Sequence, residues 1–192
     1  MSAPIITAKR FYMIRHGQSV ANLEGYYSGN LDVALTDLGI TQAETARQHV
    51  ENLDNKPMRI VHSHLQRARN TAKIINQNLQ LPMHETPLLG EQHFGDWEKT
   101  PHVPYKSVTR RGNSPPNGET NHDFEQRIAK GINKTLESDE LTLIACHGGV
   151  FRAFYELYNN IDNFEATQNC VLYEFTPNPD TPNFPWDIKA IP

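Results

Sequence analysis

"LTLIACHGGVFRAFYEL", residues 141–157, changes its period halfway along. The first six residues form a short apolar run of the kind buried on both faces of a sheet. Past His147, Gly148 and Gly149, apolar residues return at Val150, Ala153, Phe154 and Leu157, a spacing that predicts a helix. A buried strand passing through a glycine turn into a helix is the repeating unit of an α/β fold.

Two further runs, 10–14 ("RFYMI") and 59–63 ("RIVHS"), read as strands of the same buried type. Between the three lie helical stripes. Ile40, Ala43, Ala46, Val50 and Leu53 make one, with Thr36 and Asp37 placed to cap its start. Ala68, Ala72, Ile75 and Leu79 make a second. Phe124, Ile128 and Ile132 make a third, after a variant capping box in which Thr120 is paired with Asp123 in place of Glu or Gln. The alternation predicts one α/β layered domain with a mainly parallel sheet, its core spanning about 9–176. "CVLYEF" (170–175) adds a late antiparallel edge strand. The proline-broken stretch 176–192 is expected to wrap the surface as a tail from 177 onward, with "WDIKAI" at most a short strand. Segment 99–120 has no clear period and is expected to be a loop that caps the substrate.

Composition narrows the function. The 192 residues carry 18 Lys and Arg against 22 Asp and Glu, a net charge of −4, which gives no global pull toward nucleic acid or anionic membrane. Positive charge that matters must therefore be local, and it points to small anionic ligands. Cys146 and Cys170 form no CxxC pair or disulfide framework, so a reducing compartment is expected. No apolar stretch approaches the ~18 residues of a membrane span, and the start lacks a secretory pattern, so the expected location is the cytoplasm. The sequence leaves the oligomeric state open, a homodimer included.

Ligands of open α/β sheets bind beyond the carboxyl ends of the strands. The first strand is followed by Arg15 and His16, the second by Arg67, and the third by His147, Gly148 and Gly149. Two guanidinium forks match the oxygens of a phosphoryl group, and the glycines let backbone N–H groups approach it at a helix start. Imidazole adds what a pure binding site would not need. A neutral ring nitrogen can attack phosphorus and form a phosphohistidine, while a second histidine, held protonated beside the phosphate charge, can stabilise the oxygens in transit. A departing alkoxide also needs a proton. Glu91, Asp96 and Glu98 are candidates, because two negative charges meeting at the site favour the protonated acid; spacing alone does not choose among them.

The blocks "IRHGQS…N", "YYSGNLDVALTDLGITQA", "SHLQRARNTA", "GEQHFGDWE", "PNGET" and "CHGGVFRA" occur in that order from about Phe11 to Ala153, and together they resemble the histidine phosphatase, or phosphoglycerate mutase-like, superfamily. The resemblance implies a three-layer α/β/α sandwich. It implies His16 as the phosphorylated nucleophile, Arg15, Arg67 and His147 as the phosphate pocket with Gly148, and Glu91 as proton donor. Asn22 matches the asparagine that helps bind the phosphoryl group, and Ser28 and Gly29 fall in the substrate-contacting loop. No metal or other cofactor is implied, and the expected partner is a small phosphomonoester.

Several positions depart from the family pattern or invite other readings. "HSHLQRA" places His62 and His64 where many members have "SSPLxRA", and Cys146 stands where serine is common. Cys146 reads as a small buried residue. The nine histidines include no HExxH pattern, and His62 and His64, on one face of a strand, lack a third ligand for zinc. Phe94 and Trp97 read as packing at the pocket rim, and Lys106, Arg110 and Arg111 as a solvated face. The short span between "HFGDWE" and "PNGET" leaves little chain with which to exclude water, which favours a phosphatase over a cofactor-dependent mutase. The other alternative is a non-catalytic phosphate- or phosphoprotein-binding module, which would have no use for a nucleophile together with an acid.

Overall fold

A computed structural model describes residues 5–103 and 113–191. In chain order the elements are β1 (Phe11–Arg15), α1 (Val20–Glu24), α2 (Asp37–Glu51), β2 (Arg59–Ser63), α3 (Gln66–Ile75), β3 (Met83–Thr86), α4 (Asn121–Thr135), β4 (Thr142–Cys146), α5 (Gly148–Leu157), β5 (Leu172–Pro177) and β6 (Trp186–Ile191), with three short 3₁₀ turns. Lys106, Arg110 and Arg111 of the expected loop lie outside the described residues.

The six strands are ordered β3-β2-β4-β1-β5-β6. β3, β2, β4 and β1 run parallel, while β5 is antiparallel to β1 and β6 to β5. The three runs read as central strands are therefore neighbours, β2-β4-β1. Alternation of side chains across the sheet explains why these strands are apolar throughout. Phe11, Met13, Val61 and Ile144 pack with α4 and α5, whereas Tyr12, Ile14, Ile60 and Leu143 pack with α2 and α3. Helices thus cover both faces, giving the α/β/α sandwich.

The helix starts follow the sequence closely. The Thr36 hydroxyl accepts from Gly39 N at 3.1 Å. At α4 the Thr120 hydroxyl accepts from Asp123 N at 3.0 Å, but the shorter Asp123 carboxylate takes the hydroxyl hydrogen at 2.7 Å in place of the backbone arm expected of a capping box. A complete box occurs at α1, where Ser19 N donates to Asn22 Oδ1 at 3.1 Å and Asn22 N to Ser19 Oγ at 3.3 Å. Leu53 and Leu79 lie past the ends of α2 and α3 yet pack on the same core as the helical stripes.

The expected surface tail is corrected. β6 pairs with β5 along its whole length, from Leu172 opposite Ile191 to Pro177 opposite Trp186. Trp186 draws the segment in: its ring is buried, edge-on to Phe11 at 5.6 Å and Phe154 at 5.5 Å, and its indole N–H donates to the Tyr158 hydroxyl at 2.9 Å. Pro179, Pro182 and Pro185 lie in the connection between the two strands and do not break them, as the Asn178 N to Pro185 O bond of 2.9 Å shows. β3 escaped the sequence reading because its edge position leaves His84 and Glu85 exposed and gives it little apolar signal.

Register then positions the site. Arg15 stands opposite Cys146, and His62 opposite Ala145, so the residues following β1, β2 and β4 emerge together at one edge. The turn after His16 presses against the start of α2: a Cβ on Gly17 would overlap the Gly39 carbonyl, so only glycine permits that approach.

Candidate active site

His16 leaves β1 with its backbone fixed from both sides. Its N–H donates to Cys146 O at 3.0 Å, and its carbonyl accepts from Asn169 Nδ2 at 2.7 Å. The ring is buried, with Nδ1 2.7 Å from Gly17 O. A carbonyl only accepts, so Nδ1 carries the hydrogen and Nε2 of the neutral ring is left with a bare lone pair. Burial, then the nearby cations Arg67 and Arg15, hold the ring well below the ordinary imidazole value, whereas the bond to Gly17 O opposes them more weakly. Both main causes disfavour the charged form. His16 should therefore keep the nitrogen signals of a neutral ring through the ordinary imidazole range; histidine NMR showing an ordinary titration near 6.5 would contradict this geometry.

Arg15 and Arg67 are positioned by carbonyl groups. Arg15 Nη1 donates to Thr167 O at 2.6 Å, and the fully buried Arg67 donates from Nη1 to Leu31 O and from Nη2 to Gly29 O, each at 2.8 Å. Neither has an ion-pair partner among the described residues, and the Nε of each is buried without a hydrogen-bond acceptor. Burial pulls Arg67 down to about 10, which leaves it a cation at neutral pH. Glu91 attracts both cations, and Asp32 and Glu98 attract Arg67, but none of them makes a direct ion pair, so an arriving anion would complete the site.

His147 caps the start of α5 and is fully buried. Its ring meets His16 edge-on, 5.2 Å between centroids, its Nε2 lies 2.8 Å from Ser63 Oγ, and its Nδ1 has no protein partner. The sequence reading expects His147 to be protonated beside a phosphate charge, and that charge is not among the groups acting on the ring here. Burial first, then Arg67, His16, His64 and Arg15, push it well below the ordinary value, so both imidazoles are shifted toward the neutral form without a bound anion.

Glu91 closes the site from the segment after β3. Its Oε1 accepts from Gln92 N at 2.9 Å and its Oε2 from Gly149 N at 3.1 Å. A Cβ at position 149 would collide with that carboxylate, which explains the second glycine of "HGG". Asp96 instead accepts from Asn117 Nδ2 at 2.9 Å, and Glu98 holds Asn30 N at 3.0 Å, so geometry separates the three acids that spacing could not. Asn22 Oδ1 accepts from Ser19 and from Asn169 Nδ2, the latter at 3.3 Å, which turns its NH₂ group away from those donors.

These groups open into a cavity of about 610 Å³ whose lining includes Arg15, His16, Asn22, Ser28, Glu91 and Gly148. Arg67 and His147 are fully buried and are not among its lining residues. Gly29 does not line it; its carbonyl is committed to Arg67. Tyr26, Tyr27, Phe94, His102 and Phe164 line the cavity as well, and Tyr27 packs on Phe94 at 4.9 Å and on His102 at 4.8 Å. Of the aromatic residues read as rim packing, Phe94 is thus part of the wall, while Trp97 lies behind Tyr27 at 6.3 Å. The tyrosines were visible in "YYSG", but Phe164, Thr167 and Asn169 gave no sequence signal. Of the described part of 99–120, residues near Thr100 and His102 run along Gly25 and Tyr27 through backbone bonds.

His62 and His64 do not share a strand face. His62 Nδ1 bonds to Ser63 O at 2.9 Å, whereas His64 lies beyond the end of β2. Among the described residues no group of three His, Cys, Asp or Glu side chains could hold a metal ion. Cys146 is fully buried and its thiol is pushed up by that burial, in keeping with a small core residue.

A strand-end pocket with a bare imidazole nitrogen between desolvated guanidinium groups suits one class of enzyme, those that take a phosphoryl group onto histidine. The chain belongs to the histidine phosphatase superfamily, branch 1, whose family model matches residues 11–185. It is 31% identical over 153 residues to adenosylcobalamin/alpha-ribazole phosphatase of Salmonella typhimurium, covering 73% of this chain and 75% of the relative. It is 30% identical over 189 residues to a 2,3-bisphosphoglycerate-dependent phosphoglycerate mutase of Bartonella henselae, covering 85% and 90%. The crystal structure of the alpha-ribazole phosphatase from Shigella flexneri matches with a TM-score of 0.77 at 27% identity, covering 95% of this chain and 96% of that one. The chain is a phosphomonoesterase of this superfamily, and several of its relatives are named as phosphatases. Among the described residues no helix is long and apolar enough to cross a membrane.

Proposed function

We propose that His16 is the nucleophile and Glu91 the proton carrier of a two-step phosphomonoester hydrolysis. Nε2 of His16 attacks phosphorus as the ester P–O bond breaks, and protonated Glu91 gives its hydrogen to the departing alcohol oxygen. Glu91, now a carboxylate, takes a proton from water as the water oxygen attacks phospho-His16; the P–N electron pair returns to Nε2 and phosphate leaves. Arg15, Arg67, Asn22, His147 and the N–H of Gly148 hold the phosphoryl oxygens. The observation that carries this reading is the Nδ1 contact of His16 to Gly17 O, which leaves the attacking nitrogen bare near two buried arginines that have no direct ion pair among the described residues.

The alcohol half is proposed to carry a ring. The aromatic side chains and the carboxylate of Glu165 in the cavity lining suit an uncharged, planar group better than a second anion. Arg67→Ala tests the pocket. Vanadate or inorganic phosphate should bind about 100-fold more weakly, since a desolvated charge-assisted contact is lost. Unchanged binding by calorimetry would remove Arg67 from the site.

A further inference from the structure

Ser63 has a partner that the sequence did not suggest. It is fully buried at the end of β2, one residue past His62, which stands opposite Ala145, two residues short of His147. Its oxygen accepts from Leu65 N at 3.2 Å and lies 2.8 Å from His147 Nε2. A hydroxyl has one hydrogen to give, and a neutral imidazole has one nitrogen that donates and one that accepts.

Two arrangements are possible. If Ser63 donates to Nε2, the hydroxyl is fully used and the ring hydrogen sits on Nδ1, the atom without a protein partner. If Ser63 accepts from Nε2–H, its own hydrogen has no acceptor among the described residues, and Nδ1 becomes an unfilled acceptor as well. The first arrangement leaves one buried group unpaired and the second leaves two, which decides between them. The difference matters for chemistry, because an Nδ1–H is completed by a phosphoryl oxygen, whereas a bare Nδ1 repels one.

We propose that Ser63 is the positioning residue of His147: by donating its hydroxyl hydrogen to Nε2 it holds the neutral ring as the Nδ1–H tautomer, a ready donor for a phosphoryl oxygen. The proposal rests on the phosphohistidine reading of the site. The titratable and charged groups around the ring are His16, His64, Arg67 and Arg15, with Glu91 acting on both arginines and the Cys146 thiol neighbouring in the chain. Bases and cations dominate this set and oppose a second positive charge, in keeping with a donor that works uncharged before substrate arrives.

The test is the histidine ¹⁵N spectrum of the phosphate-free protein at about pH 7, with the His147 signals assigned by their loss in His147→Asn. Nδ1 should be protonated and Nε2 should be the hydrogen-bond acceptor; an Nε2–H tautomer or an imidazolium overturns the proposal. Ser63→Ala should move the ring toward Nε2–H and lower kcat about 100-fold, the scale of losing one transition-state donor, and Ser63→Thr should recover most of that loss. A wild-type tautomer and rate in Ser63→Ala would also overturn it. Should Ser63→Ala not fold, the spectrum of the native protein decides alone. Trapping of labelled phosphate on His16 is read separately: its absence fails the phosphohistidine function, whereas the wrong tautomer with the label present fails only the role of Ser63.

Discussion

His16→Ala is expected to lower hydrolysis of p-nitrophenyl phosphate by about 10⁴-fold or more, the scale seen when a covalent nucleophile is removed. The loss should appear in kcat, because Arg15 and Arg67 still bind the phosphoryl group. The argument lies in the site's construction. His16 is held through its own N–H, its carbonyl and its Nδ1, which leaves Nε2 as the one ring nitrogen free to react. Alanine removes that nitrogen but leaves the contact of Arg67 with Gly29 and Leu31 intact. Vanadate affinity is therefore the control, and it should change far less than the rate. Wild-type activity should also survive a chelator. A variant that retains a tenth of the activity would show that another group, or water directly, attacks phosphorus.

The second large effect separates the two halves of the reaction. Glu91→Gln should slow hydrolysis of alkyl phosphates by about 10³-fold, within the range for general acid catalysis, while the first step with an activated aryl phosphate loses about tenfold or less. The aryl leaving group needs little protonation, but phospho-His16 still needs Glu91 to activate water. Stopped-flow with p-nitrophenyl phosphate should thus show a burst of one nitrophenolate per active site followed by slow turnover. Both carboxylate oxygens of Glu91 accept backbone N–H groups, so glutamine must give up one of these bonds. The resulting shift should affect both substrates alike and cannot mimic the contrast. Equal losses in the first step for alkyl and aryl esters would count against Glu91 as the acid.

Much of this was legible in the chain because strand ends in a parallel sheet are read directly from sequence. Three apolar runs located β1, β2 and β4, and the residues following them, Arg15, His16, Arg67 and His147, converge as the rule for open sheets requires. Glu91 was less legible. Its segment has no period, and what distinguishes it from Asp96 and Glu98 is the approach of Gly149 from α5, a contact across 58 residues. β6 was misread because prolines dominate the stretch before it, while the burial of Trp186 among Phe11 and Phe154 depends on elements far away in the chain. The downward shift of His147 in the absence of phosphate was not legible for a related reason. Sequence shows cationic and anionic neighbours in principle, but the depth of burial, which is the largest influence on that ring, exists only after folding. Ser63 was hidden in plain view between two histidines that drew the chemistry to themselves.

The measurement that tests the central claim most directly is to mix the enzyme with a ³²P-labelled phosphomonoester, quench within milliseconds in alkali, and map the labelled peptide. The account predicts an acid-labile, alkali-stable phosphohistidine on the peptide containing His16, formed as fast as turnover or faster and enriched in Glu91→Gln. Turnover without any label, or a label on another residue, would contradict it.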